Sequence, residues 1–290
     1  MIARYNTISF LSDYGHRDEF VGVVRSVLHS VSPTTTVIDV THGIKPHDIR
    51  AGGLSLARAA QYLCPGVVLA VVDPTVAGRR RGVAVEVGDG MSVLVGPDNG
   101  LLAPAVAMVG GASRAFDITD SPARLPGEST SFDDGRDLFA PVAASLCEGV
   151  PLEELGNEIN VGLLMPAVVP VSGLEGDVIV AEVLWVDRFG NAQLNIDPDD
   201  LPETPSLRLQ VNERTRPLER VSAFEQIVSG AIGLIVDSYG LPALCVDRGS
   251  AAAELGVIEG DSVRIMAGDA AGGASTAVTL GSRPPAGGQR

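Results

Sequence analysis

Asp73 closes an apolar run, Val67–Val72, and three arginines, Arg79, Arg80 and Arg81, precede the next run, Val83–Val87. A guanidinium stays charged at any physiological pH and loses much solvation on burial. Three of them beside one carboxylate therefore make either a solvated turn or a built site. Two further stretches carry chemistry-bearing side chains. In Phe10-Leu11-Ser12-Asp13-Tyr14-Gly15-His16-Arg17-Asp18, Asp13 follows an apolar run, where a carboxylate can accept two hydroxyl hydrogen bonds or simply close a turn. Asp18 either caps the helix that follows or meets a ligand. In Asp39-Val40-Thr41-His42-Gly43-Ile44-Lys45-Pro46-His47-Asp48, the proline and Asp48 read as a helix entry. His42 and His47 stand five apart across a proline loop, which is no zinc spacing, so structural or substrate-contact roles are expected for them. Asp13, Asp18, Asp73 and Asp98 could be imagined as a metal-binding carboxylate cluster, but no compact motif joins them.

These residues need elements to hold them. From Thr7 to about Val150 short apolar runs alternate with helical segments: Ile8–Leu11, a helix near Phe20–Val31, Val37–Val40, a helix near Ile49–Leu63, then Val67–Val72. That alternation predicts parallel βαβ units, and the continuous Val/Ile/Leu content fits strands buried on both faces. Ligands of open α/β sheets collect beyond the carboxyl ends of the strands, which places Asp13, Thr41-His42 and Asp73 on one rim. After Pro166 the texture changes to short β-like runs, Asp177–Val186, Ala192–Ile196, Leu207–Val211, Ile232–Val236 and Ser262–Ile265, separated by Gly, Pro and Asp. The reading is an α/β chain with a Rossmann-like domain over residues 1–165, a smaller β-barrel domain over 166–267 and a mobile tail over 268–290. Leu163–Gly176 is the expected linker. Pro97-Asp98-Asn99-Gly100, Gly135-Arg136-Asp137 and Asp187-Arg188-Phe189-Gly190-Asn191 read as turns.

Composition narrows the function. A formal charge of -15 over 290 residues argues against a binder of nucleic-acid phosphates. No apolar run is long enough to span a bilayer, and the start lacks the features of a secretory signal, so a cytoplasmic enzyme without membrane partners is expected. Cys64, Cys147 and Cys245 are widely spaced, odd in number and expected as buried free thiols.

Several segments in fixed order carry a family pattern: the stretch from Ser9 to Gly52, VVDPTVAGRRRGVAVEV, GPDNGLL, GRDLFAP, VDRFGNAQLNI and DSYGLPALCVDRGSAAAELGVIEGDSVRI. Together they resemble the SAM hydroxide adenosyltransferase family, adenosine-forming S-adenosyl-L-methionine hydrolases related to fluorinases and chlorinases. The resemblance implies a Rossmann-like domain, a small β-barrel and a homotrimer with sites between subunits. It implies that Asp13 holds the ribose hydroxyls, that Asp187 and Ser238 meet the methionine end, that adenine lies near Phe189 and Asn191, and that Arg248 contributes its backbone. Asp18 and His47 belong to the expected substrate-binding set. No cofactor or metal is implied; S-adenosyl-L-methionine is the substrate.

Hydrolytic members carry an aspartate where halogenating ones have tyrosine, with an arginine seven residues on; here these are Asp73 and Arg80. The pair would hold the attacking water, with Arg79 and Arg81 in solvent. The family's third catalytic residue is a histidine directly before Gly-Arg-Asp, whereas this chain reads Ser131-Phe132-Asp133-Asp134-Gly135-Arg136-Asp137. All four histidines, His16, His29, His42 and His47, precede it, so Asp134 stands in that place and is expected to accept a hydrogen bond from the water. Thr75 and Ala77 replace glycines usual in the family. The alternatives are a SAM- or adenosine-binding protein with little or no turnover, and halide-dependent displacement, which the charge of Asp73 disfavours.

Overall fold

The structure, a computed structural model, describes residues 5–76, 78–126 and 133–268. The expected tail, beyond its first residue, and the residues Ala77, Ser131 and Phe132 lie outside that description. The chain divides into two compact units, residues 1–170 and 171–290.

Seven strands form the sheet of the first unit: β1 (Thr7–Ser12), β2 (Thr36–Thr41), β3 (Val67–Val71), β4 (Gly82–Val87), β5 (Ser92–Pro97), β6 (Ala112–Asp117) and β7 (Asn157–Ile159), in the order β2-β1-β3-β5-β4-β6-β7. Helices α1 (Phe20–Val31) and α2 (Ile49–Ala60) make the crossovers from β1 to β2 and from β2 to β3. Side chains of β3 alternate between two cores: Val67, Leu69 and Val71 pack with Val24 and Leu28 of α1, while Val68 and Ala70 pack with Leu56 of α2. Both faces of the strand are thus dry, which is why its sequence is continuously apolar. Each such aliphatic side chain contributes roughly 1.5–3 kcal/mol by leaving water.

The expectation of parallel units as far as Val150 is corrected. β2, β1, β3 and β5 are mutually parallel, but β4 runs antiparallel to β5 and β6, and β6 antiparallel to β7. The cause is local. Gly88, Asp89 and Gly90 all have positive φ, a tight turn that folds β4 straight back onto β5, whereas a parallel return needs a crossover of a dozen residues or so.

Helix α3 (Ala103–Met108) covers the face that α2 shares, and α4 (Ala140–Cys147) covers the α1 face. A five-residue π-helical turn, Gly135–Phe139, leads into α4, so Gly135-Arg136-Asp137 is helical and not the turn its composition predicts. A short helix, α5 (Leu152–Leu155), precedes β7.

The second unit holds β8 (Gly173–Glu175), β9 (Val178–Val186), β10 (Ala192–Leu194), β11 (Ser206–Val211), β12 (Arg214–Arg220), β13 (Gly233–Val236), β14 (Pro242–Cys245) and β15 (Ser262–Ala267), with helix α6 (Ala251–Leu255) before the last strand. Seven of them close a barrel, β9-β10-β14-β13-β12-β11-β15 and back to β9, with β8 paired outside on β9. Closure leaves no open edge among those seven strands, and Val183, Leu194, Leu209, Leu244 and Ile265 fill the interior.

Strand β12 has no counterpart in the sequence expectation. Its RTRPLER is charged, contains proline and buries only Leu218; its place is fixed by pairing with β11 and β13. The expected linker also divides, since Met165 N–H donates to Asp98 within the first unit at 2.7 Å, while Gly173–Glu175 is already β8. Among the described residues, no helix is long and apolar enough to cross a membrane. Cys147 and Cys245 are buried, which pushes their thiols up to about 11 and about 12, but Cys64 is exposed, against expectation.

Candidate active site

β1 and β3 are neighbours in register, Ser12 opposite Val71, and the chain continues from them to opposite sides of the sheet, from β1 to β2 and from β3 to β4 beyond β5. Such a switch point opens a crevice beyond the strand ends. A cavity of about 230 Å³ lies there, lined by Asp13, Tyr14, His47, Asp73, Asp134 and Gly135 among others. Asp13 Oδ2 accepts the His47 backbone N–H at 2.8 Å, and its Oδ1 has no partner among the described residues. His47 holds a left-handed φ of 69° to make that bond. Strain of this kind in a non-glycine residue persists only where surroundings impose it, often at ligand sites.

Across the cavity runs a row of alternating charge. Asp73 Oδ2 accepts Nε of Arg80 at 2.9 Å and also its Nη2, while Oδ1 accepts Thr75 N–H and Oγ1, both at 3.2 Å. The same Nη2 donates to Asp134 Oδ2 at 2.5 Å. Asp134 Oδ1 then accepts Nη1 of Arg124 at 2.8 Å. Side-chain exposure is 5% for Asp73, 8% for Arg80 and 7% for Asp134, so the opening question resolves toward a built site for Arg80. Burial alone would lower the Arg80 pKa; the hydrogen bonds and charges of Asp73 and Asp134 outweigh it and raise the net value. The guanidinium also lies over the Phe139 ring, 5.2 Å from its centroid.

A third wall comes from Tyr14, whose hydroxyl donates to Asp133 Oδ1 at 2.7 Å; the Arg136 backbone N–H donates to the same oxygen at 3.1 Å. Burial, then the Asp133 charge and hydrogen bond, push the tyrosine pKa upward, so it stays a neutral donor. A Cβ at Gly135 would stand 2.1 Å from the Tyr14 hydroxyl, so only glycine lets the turn approach it.

The residues expected at the methionine and adenine ends lie in the second unit, on two turns built alike. Asp187 Oδ1 accepts Phe189 N–H and Asn191 N–H, each at 2.9 Å, and Oδ2 accepts Asn191 Nδ2 at 2.7 Å. Asp237 Oδ1 accepts Tyr239 N–H at 2.8 Å and Leu241 N–H at 3.1 Å, while Oδ2 accepts Gln193 Nε2 at 2.5 Å. Both turns close on a positive-φ glycine, Gly190 and Gly240. Phe189 stands 75% exposed, and Ser238 and Arg248 are exposed as well, Arg248 with a left-handed φ of 52°.

Three expectations change. Arg81 is not in solvent: it donates from Nε and Nη2 to Asp98 Oδ2 at 3.0 and 2.6 Å and from Nη2 to the Leu163 carbonyl. Arg79 is exposed as expected. Asp18 is exposed and outside the cavity lining, and α1 has no side-chain cap, so neither reading of Asp18 finds a contact. His42 stands just beyond β2 as expected and takes the structural of its two expected roles: it is fully buried, 2.7 Å from Ser12 Oγ and 3.2 Å from Asp39 Oδ1, outside the cavity lining, and burial lowers its pKa. Asp134, expected to accept a hydrogen bond from the water, has both oxygens engaged by Arg80 and Arg124, and Arg136 pairs with Asp137. Among the described residues, Asp73 and Asp98 each pair with an arginine, and no cluster suited to a metal ion occurs. Arg124, Tyr14 and Asp133 escaped the sequence reading. Arg124 stands in an unremarkable Pro-Ala-Arg-Leu, and only the 2.8 Å bond reveals it.

The model of the SAM hydroxide adenosyltransferase N-terminal domain matches residues 8–156, and that of the C-terminal domain residues 181–264. The chain belongs to the SAM hydroxide adenosyltransferase family. Each matched domain falls within one of the two units. An (R)-S-adenosyl-L-methionine hydrolase of Salinispora tropica is 45% identical over 90% of this chain and 98% of its own length. One of Thermus thermophilus is 39% identical over 89% and 99%. A fluorinase of Actinopolyspora mzabensis is more distant, 26% identical over 89% and 96%. The crystal structure of an uncharacterized conserved protein from Thermotoga maritima superposes with a TM-score of 0.81 at 30% identity, covering 89% of this chain and 99% of that one. Family membership thus rests on both halves of the chain, and the α/β unit followed by a β-barrel is shared with that structure.

Proposed function

We propose that the protein hydrolyses S-adenosyl-L-methionine to adenosine and L-methionine by attack of water at the 5′ carbon. The observation that carries this reading is the buried Asp73–Arg80 pair at the carboxyl end of β3, beside a cavity whose other side presents an unengaged oxygen of Asp13. Methionine departs as a neutral thioether, so no general acid is needed. The difficulty is to present a desolvated, oriented oxygen to the carbon, and a fixed carboxylate with its guanidinium can hold one. Asp13 would take the ribose hydroxyls through its free oxygen. Asp187, Phe189, Asn191, Ser238 and Arg248 are read as the remainder of the substrate site, with the exposed Phe189 ring offering a stacking face and the Asp187 turn offering backbone groups, since its carboxylate is occupied. His47 is retained at the ribose side through the backbone that fixes Asp13, while Asp18, expected in the substrate-binding set, lies outside the cavity lining. The finer reading is a cytoplasmic homotrimer with sites between subunits, supported by the family pattern and testable by light scattering on the purified protein.

Incubation with the substrate in heavy-oxygen water tests the reaction. Label in the 5′ hydroxyl of released adenosine is the expected result. A 5′-haloadenosine in chloride buffer would replace hydrolysis with halogenation, and bound but unchanged substrate would leave a binder.

A further inference from the structure

We infer that Arg124 is a positioning residue for the water-holding pair, acting through Asp134 and Arg80; the inference rests on the hydrolase reading above. Three observations carry it. Arg80 Nη2 is shared between Asp73 and Asp134, so the guanidinium that orients Asp73 is itself held by a second carboxylate. That carboxylate is fixed in turn by Arg124 at 2.8 Å, and Arg124 is braced by Nη2 on the Thr119 carbonyl at 3.3 Å. The backbone beside Arg124 is tied to the segment that carries Asp134: Leu125 N–H donates to the Asp137 carbonyl at 2.8 Å, and Asp137 N–H to the Asp133 carbonyl at 2.9 Å.

Charge explains why the second arginine is needed. Asp73, Arg80 and Asp134 alone place two carboxylates around one guanidinium in a nearly dry setting, an uncompensated negative charge that is costly to bury. Arg124 makes the row neutral. With Asp134 Oδ1 committed to Arg124 and Oδ2 to Arg80, the carboxylate is held at both oxygens and cannot swing and draw Arg80 off Asp73. Asp134 is then a brace for Arg80 and not the water's acceptor. Arg124 never needs to touch substrate; one third of its side chain remains exposed, at the outer end of the row.

The test compares steady-state kinetics, adenosine affinity and thermal unfolding for wild type, R124A, R124K and D134N. R124A should lose kcat on the order of a hundredfold, the scale of a small misplacement of reacting groups, with KM and the adenosine Kd within about threefold of wild type. R124K should recover part of the loss. Free guanidinium at millimolar concentration should recover part of it in R124A, since the outer end of the row is open to solvent. In the D134N background R124A should cost little more, because the two act in series. Wild-type kcat in R124A, or losses that multiply in the double variant, overturns the inference while leaving the hydrolase reading intact. A parallel loss of kcat, adenosine binding and Tm that R124K does not relieve assigns Arg124 to the fold and also overturns it. A wild-type protein that releases no adenosine removes the reading and the inference together.

Discussion

Aspartates end strands in both units, yet their side chains meet opposite fates. On the sheet rim, Asp73 gives one oxygen to Thr75 of its own loop and the other to the buried Arg80 guanidinium, and Asp13 spends one oxygen on a backbone N–H from another crossover and keeps the other free. In the barrel, Asp187 and Asp237 fold back on the turns they begin and give most of their accepting capacity to N–H groups within four residues. Asp13 stands where β1 leaves for a helical crossover and meets the His47 N–H only through the assembled sheet, and Asp73 faces a loop long enough to bring a guanidinium back to it. A tight turn between antiparallel strands instead leaves orphan N–H groups beside the aspartate, and the carboxylate satisfies them. The same residue type is thus available for chemistry in one unit and absorbed by structure in the other.

That contrast can be broken by substitution. The largest effect is expected for R80A, which strands Asp73 and Asp134 as buried, half-compensated carboxylates; stability should fall by about 3–5 kcal/mol and turnover by more than about a hundredfold. Urea unfolding and adenosine release measure both, and an R80A protein with wild-type values in each would mean the row is ornamental. D187A comes next: three hydrogen bonds of roughly 1 kcal/mol each are lost, so unfolding should shift by about 2–3 kcal/mol. Should D187A keep its stability and lose substrate affinity, the barrel turn belongs with the rim and the contrast collapses.

D13A is expected to weaken adenosine binding by about 1.5–3 kcal/mol, the contribution of hydrogen bonds to a charged acceptor. Calorimetric titration with an unchanged Kd would take Asp13 out of the site. Smallest is the pair R81A and R79A. Arg81 holds Asp98 and the Leu163 carbonyl, so its loss should cost about 1–2 kcal/mol in thermal unfolding, whereas exposed Arg79 should stay within about 0.5 kcal/mol. Equal Tm values for the two variants would return Arg81 to the solvated role its neighbours suggested.

Much of the first unit was written locally. Periodicity placed β1, α1, β2, α2 and β3 within a few residues, because each buries a face that its own sequence marks, and the family resemblance singled out one arginine of three. Signals that depend on distant partners were silent. Strand β12 is polar because the barrel needs only Leu218 from it, and its strand character comes from β11 and β13. Arg81 carries no mark that distinguishes it from Arg79; the difference is that Asp98 lies across the β4–β5 hairpin.

The sequence by itself determined the alternation of strands and helices and the barrel-like texture after Pro166, since these rest on hydrophobic period and turn chemistry, and its resemblance to a family marked the candidate pair Asp73 and Arg80. Only the tertiary structure decided which charges are dry. Tyr14 and Asp133 meet across 119 positions, and Arg80 and Asp134 across 54. Whether a carboxylate is solvated or buried against a guanidinium depends on which loops the sheet brings to one rim. Desolvation is a property of that assembled neighbourhood, and no single segment encodes it.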